Sequence, residues 1–244
     1  MGFLVSHMKQ FDQNIIDVIG NTPIVKLNKV ANSVASSIYV KLEYLNPGGS
    51  IKDRMGVYLC EQAVKRGDLK PGGTIVESTS GNTGVGIAIF SAINGYNCVF
   101  VMADKQSQEK IDNLKSYGAK VIVCPTAVEP EDPRSYYSVA ASLAKLPNSV
   151  FLDQYGNMDN GASHYEMIGP EIYEQTKGEF DTLVAGIGTG GTISGSSRYL
   201  KSKMPNLKSI AVDCEGSILK EYYETGKMGK AYSYLVEGIG EDFI

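Results

Sequence analysis

The sequence predicts an α/β fold in which parallel strands alternate along the chain with helices. Short apolar runs of strand character alternate with longer runs that have the apolar spacing of a helix. The short runs are apolar at successive positions, which is typical of parallel strands that helices cover on both faces. Several of the helical runs stop at a glycine, a residue that commonly ends helices. These observations indicate doubly wound sheets, in which ligands bind beyond the carboxyl ends of the strands.

The predicted elements follow one another in a regular order. Strands are predicted over 37–43, 74–79, 98–103, 120–125, 150–154, 181–187 and 208–213. The first long helix follows the turn in NPGGSIKDR (46–54) and stops at Gly67. The second follows strand 74–79 and ends at Gly95, and the third, over 105–118, ends at Gly118. Further helices are expected between the later strands.

Composition argues against several functional classes. The 244 residues are 43% hydrophobic and 20% charged, which is ordinary for a soluble globular protein. The formal net charge is -4 and lysine and arginine do not cluster, so we expect no nucleic-acid partner. No apolar run approaches membrane-spanning length, and His7 and His164 are too few for a histidine-rich metal site. The scattered cysteines indicate free thiols in a cytoplasmic protein: Cys60, Cys98, Cys124 and Cys214.

Lys52 lies in the opening turn of the first predicted helix. Residues 47–49 (PGG) form a turn, Ser50 is a good N-cap, and Asp53 three residues later completes a pattern that resembles a capping box. The positive end of a helix lowers the pKa of a nearby amine and favours the neutral, nucleophilic form. The simpler interpretation is an exposed surface lysine, which costs only about 0.3–1 kcal/mol at that position.

Two further loops also join a strand to a helix. Residues 78–84 (STSGNTG) place hydroxyls, an amide and two glycines at a helix N-terminus, where a carboxylate would bind well. Residues 188–192 (GTGGT) let the backbone approach an anion closely, and a phosphate is the natural occupant. Taken singly, either loop is equally explained as ordinary turn chemistry.

The glycine loop also permits a different cofactor. Gly186, Gly188 and Gly191 match the G-x-G-x-x-G pattern of dinucleotide sites, and Asp213 ends the next strand at about the right offset for a ribose. A nicotinamide-dependent oxidoreductase is therefore an alternative on that motif alone. It leaves Lys52 and the 78–84 loop without a role, and the motif lies unusually late in the chain.

An amine, a carboxylate cradle and a phosphate cradle together match the needs of pyridoxal phosphate acting on an amino acid. The motifs NPGGSIKDR, TSGNTG and GTGGT resemble the signature set of the fold-type II pyridoxal-phosphate β-family, the cysteine synthases and cystathionine β-synthases. The similarity runs from IGNTP (19–23) to the last residue. The resemblance implies that pyridoxal 5′-phosphate is the cofactor and that Lys52 holds it as a Schiff base and is the catalytic base.

The resemblance also implies roles for the two polar loops. Asn82 would bond the hydroxyl of the cofactor ring. The cofactor phosphate would be bound by Gly188, Thr189, Gly190, Gly191 and Thr192. The substrate carboxylate would be received by Thr79, Ser80, Thr83 and Gln154.

Two doubly wound parallel-sheet domains of the tryptophan synthase β type are implied by the same resemblance. A larger domain that binds the cofactor phosphate would comprise 8–44 and 155–244, and a smaller domain that binds the substrate carboxylate would comprise 45–154. Residues 1–7 are interpreted as an added leader. We expect the natural polypeptide to continue beyond residue 244, where relatives carry the partner of the pyridine nitrogen, and to form a homodimer in the cytoplasm.

The reaction implied is β-replacement on serine or O-acetylserine. DCEGSIL (213–219), LVEGIGEDFI (235–244), EDPRSYY (131–137) and DQYGN (153–157) are closer to cystathionine β-synthases, whereas HYEMIGPEIYEQT (164–176) is closer to cysteine synthases. The first choice of thiol is therefore homocysteine, giving cystathionine in transsulfuration, and the alternative is sulfide, giving cysteine. A non-catalytic binding fragment and a nicotinamide oxidoreductase are the remaining hypotheses.

Overall fold

The computed structural model describes residues 12–128 and 132–243. The predicted leader over 1–7, the residue Glu131 that opens EDPRSYY, and Ile244 lie outside these ranges. The described chain has an α/β fold with parallel sheets, as predicted. None of its helices combines the length and the apolar character that crossing a membrane requires.

The central sheet has four parallel strands in the order β5-β4-β3-β6. They are β3 (Thr74–Ser78), β4 (Asn97–Ala103), β5 (Lys120–Cys124) and β6 (Ser149–Phe151). Alternate side chains of β3 and β4 enter two separate cores, with Ile75 and Phe100 on one face and Val76 and Val101 on the other. The pleat of a strand sends successive side chains to opposite faces, so apolar residues at every position require cover on both sides.

Helices cover both faces of this sheet. On one face lie α1 (Lys52–Arg66), α2 (Asn82–Asn94) and α3 (Gln108–Ser116), and α4 (Tyr136–Leu143) lies on the other. The first two helices end where the sequence predicts, because Gly67 and Gly95 adopt the left-handed conformation that caps a helix.

Helices α1 and α2 touch through their backbones near their N-terminal ends. A β-carbon at Gly86 would lie 2.9 Å from both the Lys52 carbonyl oxygen and Asp53 Cα, and one at Gly56 would lie 2.9 Å from Ile87 N. Only glycine leaves room for this approach. The crossing places the helix opening that carries Lys52 against the first turns of α2, so the two predicted loops share one edge of the sheet.

A second parallel pair, β7 (Thr182–Gly186) and β8 (Lys208–Val212), lies later in the chain. Helices α6 (Ile168–Thr176) and α7 (Gly191–Lys203) pack on one face of the pair, α5 (Asp159–Glu166) packs against α7, and α8 (Leu219–Thr225) follows β8. The other face is uncovered within the described residues: Val184, Ile210 and Val212 are exposed, so the expectation of cover on both faces is wrong for these two strands.

Two predicted strands are shorter than expected. The strand predicted over 37–43 is confined to β2 (Tyr39–Lys41), and it pairs antiparallel with β1 (Ile24–Lys26) instead of joining a parallel sheet. The chain turns over Glu43–Leu45, where the Glu43 carboxylate binds Arg54. The strand predicted over 150–154 ends at Phe151, because Asp153 has φ +53° and cannot continue an extended strand.

Candidate active site

Lys52 is the first residue of α1 and is half-buried at the helix opening. Ser50 Oγ accepts a hydrogen bond from Lys52 N at 3.1 Å, but the N-cap of α1 is Ile51, one residue later than predicted, and Ile51 makes no side-chain cap bond. The predicted capping box is wrong, because the Asp53 carboxylate accepts from Gly48 N instead of reaching back to Ser50 N. Asp53 is fully buried, and its bond to Gly48 fixes the PGG turn in front of the lysine.

The environment of Lys52 shifts its amine toward the neutral form. Burial lowers the pKa of the Lys52 amine, and the Glu241 carboxylate opposes that shift without cancelling it. Glu241 itself is largely buried, and burial together with Asp242 raises the pKa of its carboxyl to about 7. A lysine with a lowered pKa has more of the free amine available for nucleophilic chemistry than an exposed lysine has.

The 78–84 loop places its buried groups against Gln154. Thr83 Oγ1 donates to Gln154 Oε1 at 2.6 Å, and Gln154 Nε2 donates to the Ser78 carbonyl at 2.8 Å. Thr79 Oγ1 accepts from Gly81 N at 3.0 Å, which holds the turn that opens α2. The structure therefore brings three of the four predicted carboxylate-binding residues into one hydrogen-bonded loop.

Ser80 and Asn82 lie apart from that buried arrangement. Both side chains are exposed, and neither forms a hydrogen bond with another predicted site residue within the described part of the chain. Their exposure at the N-terminal end of α2 leaves their polar atoms available to a ligand that enters from solvent.

A buried glutamate lies beneath this loop and was not predicted from the sequence. Glu77 in β3 is fully buried, and Gln154 N contacts its Oε1 at 3.5 Å while its Oε2 has no partner. Burial raises the pKa of the Glu77 carboxyl to about 8, so the group is mainly protonated at neutral pH. A neutral acid at this position adds no negative charge beneath a loop that would receive a carboxylate.

The 188–192 loop forms the N-terminal opening of α7. Gly190 has φ +80°, and a β-carbon there would meet nothing within 4 Å, so the loop is open on that side. The first N–H groups of a helix have no carbonyl partner within it, and they attract an anion. Thr189 Oγ1 accepts from Asn160 Nδ2 at 2.8 Å, and Thr192 Oγ1 lies 3.3 Å from His164 Nε2.

Asn160 and His164 occupy one face of α5 behind the glycine loop. Their spacing of four residues brings both side chains to the opening of α7. His164 is fully buried, and burial together with the charges of Lys52 and Arg54 lowers its pKa to about 3, so its ring is neutral. Sequence reasoning missed both residues; the i, i+4 spacing in NGASH was the available signal.

Contacts between these elements bring the three predicted loops together. Asn160 Nδ2 also donates to the Gln154 carbonyl at 2.8 Å, which joins the carboxylate-binding loop to Thr189. Gly240 N donates to the Ile187 carbonyl at 2.7 Å, and a β-carbon at Gly188 would lie 3.9 Å from Glu241 Oε1. Since Glu241 acts electrostatically on Lys52, the amine and the glycine loop border the same space.

Asp213 does not lie where a ribose-binding carboxylate is needed. Its Oδ1 accepts from Cys214 N at 2.9 Å, and its Oδ2 accepts from Lys220 N at 3.0 Å. Both oxygens therefore stabilise the turn after β8, which disfavours the nicotinamide alternative. Within the described ranges, no group of His, Cys, Asp and Glu side chains is arranged to hold a metal ion.

Comparisons with known proteins agree with these features. The family model described as "Pyridoxal-phosphate dependent enzyme" matches residues 15–244. The chain is 49% identical over 234 residues to the cystathionine beta-synthase of Apis mellifera, covering 95% of this chain and 46% of that protein. It is 41% identical over 241 residues to cysteine synthase 1 of Neurospora crassa, covering 97% of this chain and 64% of that protein. The chain thus spans about half the length of the curated cystathionine beta-synthases it matches.

The fold of the chain is also similar to that of a solved structure. The O-acetylserine dependent cystathionine beta-synthase from Helicobacter pylori superposes with a TM-score of 0.86 at 37% sequence identity. The alignment covers 96% of this chain and 74% of that one.

Proposed function

Because this chain belongs to the pyridoxal-phosphate dependent enzymes, we propose that it catalyses β-replacement on L-serine or O-acetyl-L-serine. The observation that carries the proposal is Lys52, a half-buried amine with a lowered pKa that borders both anion-binding loops. The thiol we propose is L-homocysteine, which would give L-cystathionine. The identity to cystathionine beta-synthases supports that choice.

The residues present fit pyridoxal 5′-phosphate. The glycine loop offers an open backbone at Gly190 and first-turn N–H groups of α7 that lack a carbonyl partner within the helix, and both suit a phosphate. Lys52 provides the amine, and the exposed Asn82 would bond the ring hydroxyl. Gly188, Thr189, Gly191 and Thr192 complete the proposed phosphate site.

Bound pyridoxal phosphate supplies an electron sink that stabilises negative charge at the α-carbon of the substrate. Lys52 would hold the cofactor through its amine and would remove the proton at that α-carbon. Its lowered pKa leaves more of the base form available than an exposed lysine has.

Substrate orientation depends on the carboxylate-binding loop. Thr79, Ser80, Thr83 and Gln154 would hold the substrate carboxylate, with the neutral Glu77 beneath them. Fixing the carboxylate would restrict the orientation of the α-carbon relative to Lys52, and a fixed orientation favours proton removal by that amine.

The proposal extends to organisation and location. We propose a cytoplasmic homodimer with small-molecule substrates and no nucleic-acid or membrane partner. We also propose that residues 45–154 form a smaller domain and that 8–44 and 155–244 together form a larger one. The four-stranded sheet, which lies wholly within 45–154, supports that division.

A two-by-two assay tests the proposed reaction. The protein is loaded with pyridoxal phosphate, and serine or O-acetylserine is paired with homocysteine or sulfide. Cystathionine as the favoured product supports the proposal. Of serine and O-acetylserine, the one that gives the higher kcat/KM is then the preferred substrate. Cysteine formed faster from O-acetylserine and sulfide would instead support a cysteine synthase. Cofactor binding without turnover in any pairing would indicate a non-catalytic binding protein.

A further inference from the structure

We propose that Asn160 is a positioning residue that makes the Thr189 hydroxyl an obligatory hydrogen-bond donor toward the phosphate of the cofactor. The inference rests on the proposed function, because it takes residues 188–192 as the phosphate site. It adds a residue from α5, outside the loop motifs, to the machinery that recognises the cofactor.

The contacts of Asn160 fix which end of its amide faces the site. The atom assigned as Nδ2 lies 2.8 Å from the carbonyl oxygen of Gln154. A carbonyl oxygen only accepts hydrogen bonds, so the atom facing it must be the amide nitrogen. The same nitrogen lies 2.8 Å from Thr189 Oγ1, and its second hydrogen is therefore directed at that hydroxyl.

The Thr189 hydroxyl is left with one way to bond a ligand. A hydroxyl has one hydrogen to donate and two lone pairs that accept. Thr189 Oγ1 accepts from Asn160 Nδ2 at 2.8 Å and, over a longer distance of 3.4 Å, from Gly191 N. With both lone pairs engaged, the hydroxyl hydrogen is free to donate into the opening of α7, where an anion would lie.

Asn160 occupies its position at a cost in stability. Its side chain is 4% exposed, and its Oδ1 has no hydrogen-bond partner in the described structure. A buried unpaired oxygen of this kind costs about 1–3 kcal/mol. A β-carbon at Gly191 would overlap Oδ1, so the loop is shaped around this amide. An apolar residue would fill this space at a lower cost in stability. The presence of a buried amide therefore points to a role in the site.

The test compares ligands with and without a phosphate. Asn160→Leu keeps the approximate volume and removes both donors, and Thr189→Val removes only the hydroxyl. Dissociation constants for pyridoxal phosphate and for pyridoxal are measured by titrating each protein after its cofactor has been removed. Asn94→Leu is the matched control, because Asn94 is an amide at the other end of α2 that bonds the Phe90 carbonyl.

We expect Thr189→Val to weaken pyridoxal phosphate binding about 10- to 100-fold, as loss of a hydrogen bond to a charged group does, and Asn160→Leu to weaken it by between about threefold and that amount. Pyridoxal binding should change less than about threefold, since pyridoxal makes no phosphate contact. The double variant Asn160→Leu/Thr189→Val should bind about as well as Thr189→Val alone, because Asn160 acts only through the hydroxyl that Thr189→Val removes. The phosphorus NMR resonance of bound cofactor should shift in Asn160→Leu and not in Asn94→Leu.

Two results would overturn the inference while leaving the proposed function intact. Equal losses for pyridoxal and pyridoxal phosphate would mean that Asn160 supports only the fold, and effects that multiply in the double variant would mean that it does not act through Thr189. If Asn160→Leu does not fold, the smaller Asn160→Ser carries the same comparison. A wild-type protein that binds pyridoxal phosphate no better than pyridoxal would instead overturn the proposed function, and this inference with it.

Discussion

Replacing Glu171 by glutamine should destabilise the protein most at neutral pH and progressively less in acid. Glu171 lies on α6 and belongs to an ion cluster formed by Lys41, Glu43, Arg54 and Glu171, which joins β2, α1 and α6. Arg54 is 1% exposed and donates to both carboxylates, including Glu171 Oε2 at 2.7 Å and Oε1 at 2.9 Å. Lys41 and the backbone N–H of Asn21 donate to the same carboxylate.

The magnitude follows from the pKa of Glu171. Burial alone would raise this pKa, but hydrogen bonds from Arg54 and Lys41 outweigh burial and lower the pKa from 4.5 to about 2. A difference of this size between the unfolded and folded chains corresponds to about 3 kcal/mol of stability. Because the folded pKa lies below the unfolded one, the contribution is complete above pH 4.5 and is lost as the pH falls toward 2.

Urea unfolding of the wild type and Glu171→Gln at several pH values between 7 and 3 measures this effect. The difference in free energy of unfolding should be about 3 kcal/mol at pH 7 and should shrink steadily below pH 4.5. Glu174→Gln is the matched control on the same helix, because Glu174 is exposed and pairs with Lys177 at the surface; its effect should stay below about 1 kcal/mol. A Glu171→Gln difference that stayed constant from pH 7 to pH 3 would refute the reasoning.

Three further predictions test the proposed site and the packing behind it. Lys52→Ala should abolish turnover while the far-UV circular dichroism remains native, since a half-buried first-turn lysine adds little stability; normal turnover would contradict the role of Lys52. Gly190→Asp should lose cofactor during gel filtration, because its carboxylate repels a phosphate and because φ +80° strains any side chain there, although nothing lies within 4 Å of its β-carbon. Full cofactor content would mean that the phosphate site lies elsewhere. Gly86→Ala should lower the free energy of unfolding by about 1–3 kcal/mol, since its β-carbon meets the α1 backbone. Unchanged stability would mean that α1 and α2 can move apart without a cost in free energy.

Local signals in the sequence predicted much of the fold. The apolar runs that became β3, β4, β5, β7 and β8 were placed to within a residue or two, because each run is apolar at successive positions and is bounded by polar residues or glycine. The ends of α1 and α2 were predicted because glycine alone adopts the left-handed conformation of those caps without strain. Each of these features is determined by neighbouring residues.

Features that depend on distant residues were not predicted. Arg54 draws Glu43 into a turn and reaches Glu171, which is 117 positions away, so the end of β2 could not be read from its own segment. Asp53 bonds Gly48 instead of completing a capping box, since the turn folds back over it.

The roles of Asn160 and His164 become visible only when α5 packs against α7, where Gly195 lies directly against Gly161. The loop motifs gave the proposed site, and tertiary packing supplied the residues behind it.

The attachment of the cofactor to Lys52 is the central claim, and reductive trapping tests it most directly. The protein is loaded with pyridoxal phosphate, reduced with borohydride and digested, and its peptides are mapped by mass spectrometry. We predict that the mass of the reduced cofactor is found on the peptide that contains Lys52 and on no other. Stoichiometric labelling of a different lysine, or tightly bound cofactor that leaves Lys52 unlabelled, would contradict the account.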